Sequence, residues 1–130
     1  MNFDGLIPVI QCRHIEETLD FYQRAFRYII IGKTESENSL SWVHIRSDNT
    51  QLMLQRAVDV AAESGPKAQL SGNFTLHYYT SDVVAQHQFM TARGFSVGKM
   101  QDTPYYIRQF SIVDPEGNTL TVGQEMQPHT

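Results

Sequence analysis

The sequence predicts an α+β fold in which two β-α-β-β-β modules form a curved mixed sheet, with the helices outside and a concave groove inside. Three observations predict this fold. The order strand, helix, strand, strand, strand can be read twice along the 130 residues. Gly32-Lys33 recurs as Gly98-Lys99, and Asp48 recurs as Asp114, each 66 positions later. One helix covers only one face of a sheet, so two modules are needed to enclose a groove, which is the natural ligand site.

The first predicted module covers residues 5–57. An apolar run rich in branched residues, Leu6–Cys12, predicts its first strand. Its helix has apolar residues at helical spacing, namely Ile15, Leu19, Tyr22 and Phe26. Acidic residues lie early in this helix and arginines late, which suits the helix dipole. Three strands are then expected, with turn residues between them, near residues 27–33, 40–47 and 51–56.

The second predicted module covers residues 73–126 and follows a linker at 58–72 that contains Ala, Ser, Gly and Pro. Phe74–Thr80 is predicted to be its first strand. Asp82 is suited to cap the helix that follows, and Gly94 is suited to the left-handed position at the end of that helix. The remaining strands are expected near residues 95–100, 105–113 and 118–124, the last two joined by a turn at 114–118.

Composition excludes several classes of function. The net charge is −4, and the ten basic residues are scattered, so a nucleic-acid partner is not expected. The longest apolar stretches span only a few residues, which is far too short for a membrane span. Residues 1–5 have neither the basic start nor the apolar core of a signal peptide. Cys12 is the single cysteine, so we expect a reducing, cytoplasmic setting.

Three stretches resemble the vicinal oxygen chelate superfamily, which contains lactoylglutathione lyases, ring-cleaving dioxygenases and bleomycin-resistance proteins. They are Ile15-x-x-Thr18-Leu19-x-Phe21-Tyr22, Asp82-Val83 with Gly94-Phe95, and Asp114-Pro115-Glu116-Gly117-Asn118-Thr119-Leu120. The resemblance spans Leu6 to Gln124, and His14 departs from it where the family usually has an acidic helix cap. It implies a single glyoxalase/bleomycin-resistance-like domain over residues 1–130. It also implies a homodimer with two sites at the subunit boundary.

The resemblance further implies that the enzymes of this superfamily bind a divalent metal on four strands. The matching positions here are Ile7, Met53 (with Gln55 as the nearest alternative), Thr75 and Thr121. Ile and Met cannot hold a hard divalent ion, and a neutral Thr hydroxyl is a poor ligand, so neither a metal nor a cofactor is expected. The alternative is an atypical site in which His77 is a ligand and His44 joins it from another strand.

Alternation along the strands predicts which side chains face the groove. The predicted ligand-binding residues are Trp42, His44, Met53, Gln55, Thr75, His77, Tyr79, Arg108, Phe110 and Thr121. Trp42 is the main candidate for stacking on a ligand, supported by Met53, Tyr79 and Phe110. Two alternatives stay open for Arg108, which would pair either with an anionic ligand group or with a surface carboxylate.

These patterns favour a metal-free protein that binds and sequesters a small organic ligand as a dimer and is closest to the bleomycin-resistance type. The aromatic wall suits an aromatic ligand, and the acidic balance weakly favours a cationic one. One alternative is a lyase or ring-cleaving dioxygenase with atypical metal ligands. Another is a metal-free isomerase or lyase in which His77 or Tyr79 is the acid-base group.

Overall fold

The structure is a computed structural model that describes residues 2–57 and 74–127. The chain divides into two compact units, residues 1–71 and 72–130. The predicted linker at 58–72 lies outside the described residues. Among the described residues, neither helix is both long and apolar enough to cross a membrane.

The first unit has the predicted order of one strand, one helix and three strands. The elements are β1 (Val9–Cys12), α1 (Ile15–Phe26), β2 (Ile29–Ser36), β3 (Ser39–Ser47) and β4 (Thr50–Arg56). The strands form a mixed sheet in the order β1-β4-β3-β2, in which β1 is parallel to β4 and the other pairs are antiparallel. A helix between β1 and the remaining strands permits this parallel pairing, which a tight hairpin could not make.

Helix α1 buries one face against this sheet. Ile15 and Tyr22 are fully buried, as predicted, whereas Leu19 and Phe26 are only partly buried. Thr18, Phe21 and Ala25 complete the buried stripe instead. The buried face is therefore rotated relative to the predicted one. The helix ends at Arg27, whose left-handed backbone directs its N–H to the carbonyl oxygen of Tyr22.

The second unit repeats the architecture of the first. Its elements are β5 (Thr75–Tyr79), α2 (Val83–Ala92), β6 (Gln101–Asp102), β7 (Ile107–Val113) and β8 (Thr119–Glu125). The sheet order is β5-β8-β7-β6, again with the first strand parallel to the last and the other pairs antiparallel. The fold is therefore α+β with two β-α-β-β-β modules and one four-stranded mixed sheet in each. A groove shared by both modules stays a prediction.

The ends of α2 confirm the predicted caps. The Asp82 side chain accepts a hydrogen bond from the backbone N–H of Ala85 at 3.0 Å. Gly94 follows the helix with φ +88°, a left-handed conformation that glycine adopts without steric cost. The Gln124 side chain accepts a second hydrogen bond at this helix start, from the N–H of Val83 at 2.9 Å.

The prediction of a strand at residues 95–100 is wrong. This segment has no regular secondary structure, and the edge strand is β6, which comes after it. The N–H of Gly98 does donate to the carbonyl oxygen of Ser111 at 2.8 Å. The carbonyl oxygen of Gly98, however, lies 3.1 Å from Nε2 of His87 on α2. The segment therefore bonds to the helix and to the sheet, and no continuous ladder forms.

The two recurring glycines contact equivalent strands of their units. Gly32 pairs with His44 on the third strand of its unit, and Gly98 bonds to Ser111 on the third strand of its own. Those two partners pair in turn with Met53 and Thr121 on the fourth strands. The sequence repeat therefore corresponds to a structural one.

Candidate functional site

Each sheet has one face covered by buried apolar residues and an opposite face that we call its open face. In the first unit, the covered face carries apolar residues that are at most 2% exposed: Ile10, Val43, Ile45, Leu52 and Leu54. In the second unit, the covered face carries residues that are at most 3% exposed: Phe110, Ile112, Leu120 and Val122. The open faces carry most of the predicted ligand-binding residues.

The open face of the first sheet brings together Trp42, His44, Met53 and Gln55, as predicted. Register places Trp42 beside Gln55 and His44 beside Met53. The Trp42 indole lies across Gly32, where an added Cβ would be 3.7 Å from the indole atoms Cη2 and Cζ3. The indole therefore packs next to this glycine on the neighbouring strand.

Polar side chains on the same face are held by their neighbours. Nε2 of His44 lies 2.7 Å from Oε1 of Gln51, and the His44 ring centroid is 6.2 Å from that of Trp42. Nε2 of Gln11 donates to Oε1 of Gln55 at 3.4 Å. The face thus offers a partly exposed indole and a thioether, together with amides and an imidazole that can orient a ligand.

The open face of the second sheet brings together Thr75, His77, Tyr79 and Thr121. The first three alternate on β5, and Thr121 pairs with His77 from β8. The His77 and Tyr79 ring centroids are 4.7 Å apart, with the ring planes at 36°. Oγ1 of Thr121 lies 2.9 Å from Oγ of Ser111, and sequence reasoning missed this partner.

The prediction that Phe110 lines the groove is wrong. Its side chain is 2% exposed and meets the His87 ring of α2 edge-on at a centroid distance of 4.9 Å. Phe110 pairs with Val122, so both side chains point to the covered face of the sheet. It is a core residue of the second unit.

Arg108 pairs with a carboxylate. Its Nε donates to Oδ1 of Asp102 at 2.7 Å, which matches the surface-carboxylate alternative. The hydrogen bond from Arg108 lowers the pKa of Asp102 below its ordinary value and is opposed by desolvation, whereas Asp102 raises the pKa of Arg108. Arg108 also lies on the Phe110 side of β7, so it is not on the open face.

A cavity of about 560 Å³ at one end of the second sheet was not predicted. Its lining residues are Asp102, Thr103, Tyr106, Ile107, Arg108, Gln124, Glu125, Met126 and Gln127. Tyr106 has φ +62°, an unfavourable conformation for a bulky residue. Its N–H donates to the Thr103 carbonyl at 3.3 Å, and its carbonyl accepts from the Met126 N–H at 2.7 Å. In the sequence, this region shows only two tyrosines after Pro104. Neither the cavity nor the positive φ of Tyr106 can be inferred from them.

The positions that the resemblance assigns to metal ligands do not fit a divalent cation. Met53 and Thr121 occupy equivalent places in the two sheets, and the Thr121 hydroxyl already bonds to Ser111. Ile7 has no donor atom, and Thr75 offers only a neutral hydroxyl. Within the described part of the chain, no three His, Cys, Asp or Glu side chains cluster closely enough to hold a metal ion.

Solved structures with a similar fold include several named for antibiotic binding or resistance. TnmS3, an antibiotic-binding protein from Streptomyces sp. CB03234, is 21% identical with a TM-score of 0.75, over 96% of this chain and 98% of that one. A bleomycin-binding protein complexed with bleomycin is 15% identical with a TM-score of 0.71, over 94% and 98%. A bleomycin resistance determinant encoded on the transposon Tn5 is 15% identical with a TM-score of 0.73, over 96% and 100%.

These similarities show the fold, and the family follows from the sequence match. No curated protein sequence matches this chain. The family model described as the Glyoxalase/Bleomycin resistance protein/Dioxygenase superfamily matches residues 7–122, which is most of the chain. The two-module structure and the family match agree, and the chain belongs to the Glyoxalase/Bleomycin resistance protein/Dioxygenase superfamily.

Proposed function

We propose that this protein is a metal-free binding protein that sequesters a small organic ligand and acts as a homodimer. One observation carries the proposal. The positions that would hold a metal in the enzymes of the superfamily lack a set of donors for it, while the sheet faces around them carry aromatic, thioether and amide groups. Without a metal, isomerase and dioxygenase chemistry of that kind has no Lewis acid, whereas binding by stacking and burial needs none.

The first sheet supports a stacking role for Trp42. Its indole is partly exposed and lies next to Gly32 on the neighbouring strand. Met53 adds a half-buried, adaptable apolar surface. His44 and Gln55 would orient polar groups of the ligand, because the hydrogen bonds with their neighbours restrict their side chains.

The second sheet supports a more polar contact. Thr75, His77 and Tyr79 project from one strand, and Thr121 lies beside His77. We propose that these four side chains contact a small organic ligand. Two of the similar structures are named for binding an antibiotic or bleomycin, which supports a small-molecule role for this fold. The net charge of −4 weakly favours a cationic ligand through long-range attraction.

Fluorescence of Trp42, the only tryptophan in the sequence, provides the test. We expect saturable quenching by at least one class of aromatic compound, with a stoichiometry that calorimetry confirms. The variant Trp42→Phe should bind more weakly in calorimetry, and Phe3→Ala, which changes an aromatic residue that is fully exposed, serves as the control. Equal affinities of the two variants would contradict the stacking role.

Metal analysis distinguishes a metal-free binding protein from the alternative, a metal-dependent enzyme. Protein purified without chelators should contain no stoichiometric divalent ion, and light scattering should give twice the monomer mass. One tightly bound divalent ion per chain would overturn the metal-free proposal and favour an enzyme with atypical ligands. Chemical turnover that His77→Ala or Tyr79→Phe abolishes, without any metal, would favour the metal-free isomerase or lyase instead.

A further inference from the structure

Gln51 bonds to His44 on the open face of the first sheet. It lies two residues before Met53, the register partner of His44, so the two side chains are diagonal neighbours between β3 and β4. Nε2 of His44 lies 2.7 Å from Oε1 of Gln51, well within hydrogen-bond distance. Because an amide oxygen can only accept, Nε2 donates in this bond and carries the imidazole proton. The contact therefore selects one of the two neutral tautomers of His44.

The same bond leaves Nδ1 of His44 as a hydrogen-bond acceptor. A neutral imidazole carries one ring proton, so Nδ1 keeps its lone pair when the proton is on Nε2. Within the part of the chain that the structure describes, Nδ1 has no hydrogen-bond partner. Among the same residues, no side-chain nitrogen or oxygen is both buried and unpartnered. Nδ1 is therefore accessible from outside the sheet.

The surroundings of Gln51 and His44 favour a ligand that donates hydrogen bonds. Gln51 also lines a cavity of about 580 Å³ beside residues 4–7. Asp4 contributes a carboxylate to this cavity, and an ionised carboxylate only accepts hydrogen bonds. On the other side, the Trp42 ring centroid is 6.2 Å from that of His44. A ligand stacked on Trp42 would thus have the acceptor Nδ1 close to its edge.

We propose that Gln51 is a positioning residue that holds His44 in the Nε2–H tautomer, so that Nδ1 accepts a hydrogen bond from an N–H or O–H group of the ligand. This inference rests on the proposed function and deepens it, because it states the hydrogen-bond polarity that the ligand must have. A ligand whose matching atom is itself an acceptor would place two lone pairs against each other, which opposes binding.

NMR of protein labelled with isotopic histidine tests the tautomer without a ligand. Proton–nitrogen correlation spectra are recorded at about pH 8.5, where an ordinary imidazole is neutral. The variant His44→Phe identifies the His44 signals by their loss, and we expect the wild type to carry the proton on Nε2. Gln51→Glu, which still accepts, should keep this tautomer. Gln51→Lys, which can only donate, should shift the tautomer ratio toward Nδ1–H about tenfold.

Gln55→Lys is the matched control for the added charge. Gln55 lies on the same strand and face as Gln51 and is bonded to Gln11 instead of His44. Both positions are exposed, so all of these variants should stay folded. The positioning role would be overturned if the wild type carried the proton on Nδ1. It would also be overturned if Gln51→Lys shifted the ratio no more than Gln55→Lys does.

Benzimidazole and N-methylbenzimidazole test the role of Nδ1 in binding. Both are planar, and methylation removes the N–H donor. The wild type should bind benzimidazole about fivefold more tightly, the effect of one ordinary hydrogen bond, and His44→Phe should bind the two compounds equally. Gln51→Glu should keep the preference and Gln51→Lys should lose it. Gln88→Lys, at an exposed position of α2, should leave both affinities in calorimetry unchanged.

The outcomes distinguish this inference from the proposed function. Equal affinities of the wild type for the two compounds, or a preference that His44→Phe retains, would overturn the acceptor role of Nδ1, while a ligand-binding role for the protein would stand. Quenching of Trp42 by other aromatic compounds, with no binding of either benzimidazole, would do the same. If no aromatic compound of any class binds the wild type, the proposed function fails and the acceptor role fails with it, whereas the NMR spectra still decide the tautomer.

Discussion

Replacing Asp114 by alanine should cost much more stability than the same change at Asp48, its counterpart in the sequence repeat. Asp114 is 4% exposed and precedes the turn between β7 and β8. Its Oδ1 accepts hydrogen bonds from the N–H groups of Glu116 and Asn118, both at 2.9 Å. Its Oδ2 accepts a third from Nδ2 of Asn118 at 3.1 Å. Asp48 is exposed, with φ +51°.

The magnitude follows from the donors that lose their acceptor. Asn118 is fully buried, so two of the three N–H donors would be left in the interior without the carboxylate. Each such donor costs about 1–3 kcal/mol, and the bonds are not additive, so we expect Asp114→Ala to destabilise the protein by about 3–4 kcal/mol. Asp48→Ala should cost about 1 kcal/mol, because alanine tolerates a left-handed backbone less well than aspartate does.

Urea denaturation followed by far-ultraviolet circular dichroism measures both values. Circular dichroism is preferable to Trp42 fluorescence, because Trp42 lies in the first unit and Asp114 in the second. The reasoning would be refuted if the two variants lost the same stability within about 0.5 kcal/mol, the usual range of a neutral surface change. In that case, the buried hydrogen bonds would not be what stabilises the turn.

Three further predictions concern local features. Tyr106→Asn should raise the melting temperature by about 4 °C, because asparagine adopts φ +62° with less strain, and an unchanged melting temperature would contradict that strain. Asp82→Ala should lower the free energy of unfolding by about 1 kcal/mol by removing the cap at Ala85 N, whereas an unchanged urea midpoint would contradict the cap. Burial raises the pKa of Glu16, but its own N–H and Arg56 outweigh this and lower it below the ordinary value. A carboxyl group whose pKa is lower in the folded than in the unfolded protein stabilises the fold at pH values above its unfolded-state pKa. This stabilisation is lost as the pH falls through the folded-state pKa. Glu16→Gln should therefore cost about 0.5 kcal/mol at neutral pH and nothing in acid, and a pH-independent difference in urea unfolding would count against the ion pair.

Much of each module could be predicted from local signals. The helix start at Asp82 and the end at Gly94 follow from capping chemistry and from glycine's access to positive φ. Alternating apolar residues on β4 and β8 predicted their buried faces, and Leu54 and Leu120 are indeed fully buried. These features depend on a few neighbouring residues, so sequence reasoning could find them. The ligand and the dimer stay predictions.

Errors arose where the outcome depends on pairing between distant segments. Phe110 was assigned to the groove, but its pairing with Val122 directs it to the covered face. The strand expected at 95–100 does not form, and Gly98 instead bonds both to Ser111 on β7 and to His87 on the helix. Alternation shows which residues share a face and does not show which face is covered. That choice needs the register with the next strand.

The sequence by itself determined the order of the elements and their repetition, which depend on residue identity and on periods of two or 3.6, local properties of the chain. Its resemblance to the superfamily identified the four positions, Ile7, Met53, Thr75 and Thr121, that carry no metal donor set. Only the tertiary structure decided that Phe110 belongs to the core, that Arg108 bonds to Asp102, and that the His44 imidazole bonds to Gln51. Each of these contacts joins residues from different strands, so strand pairing had to be known before it could be seen.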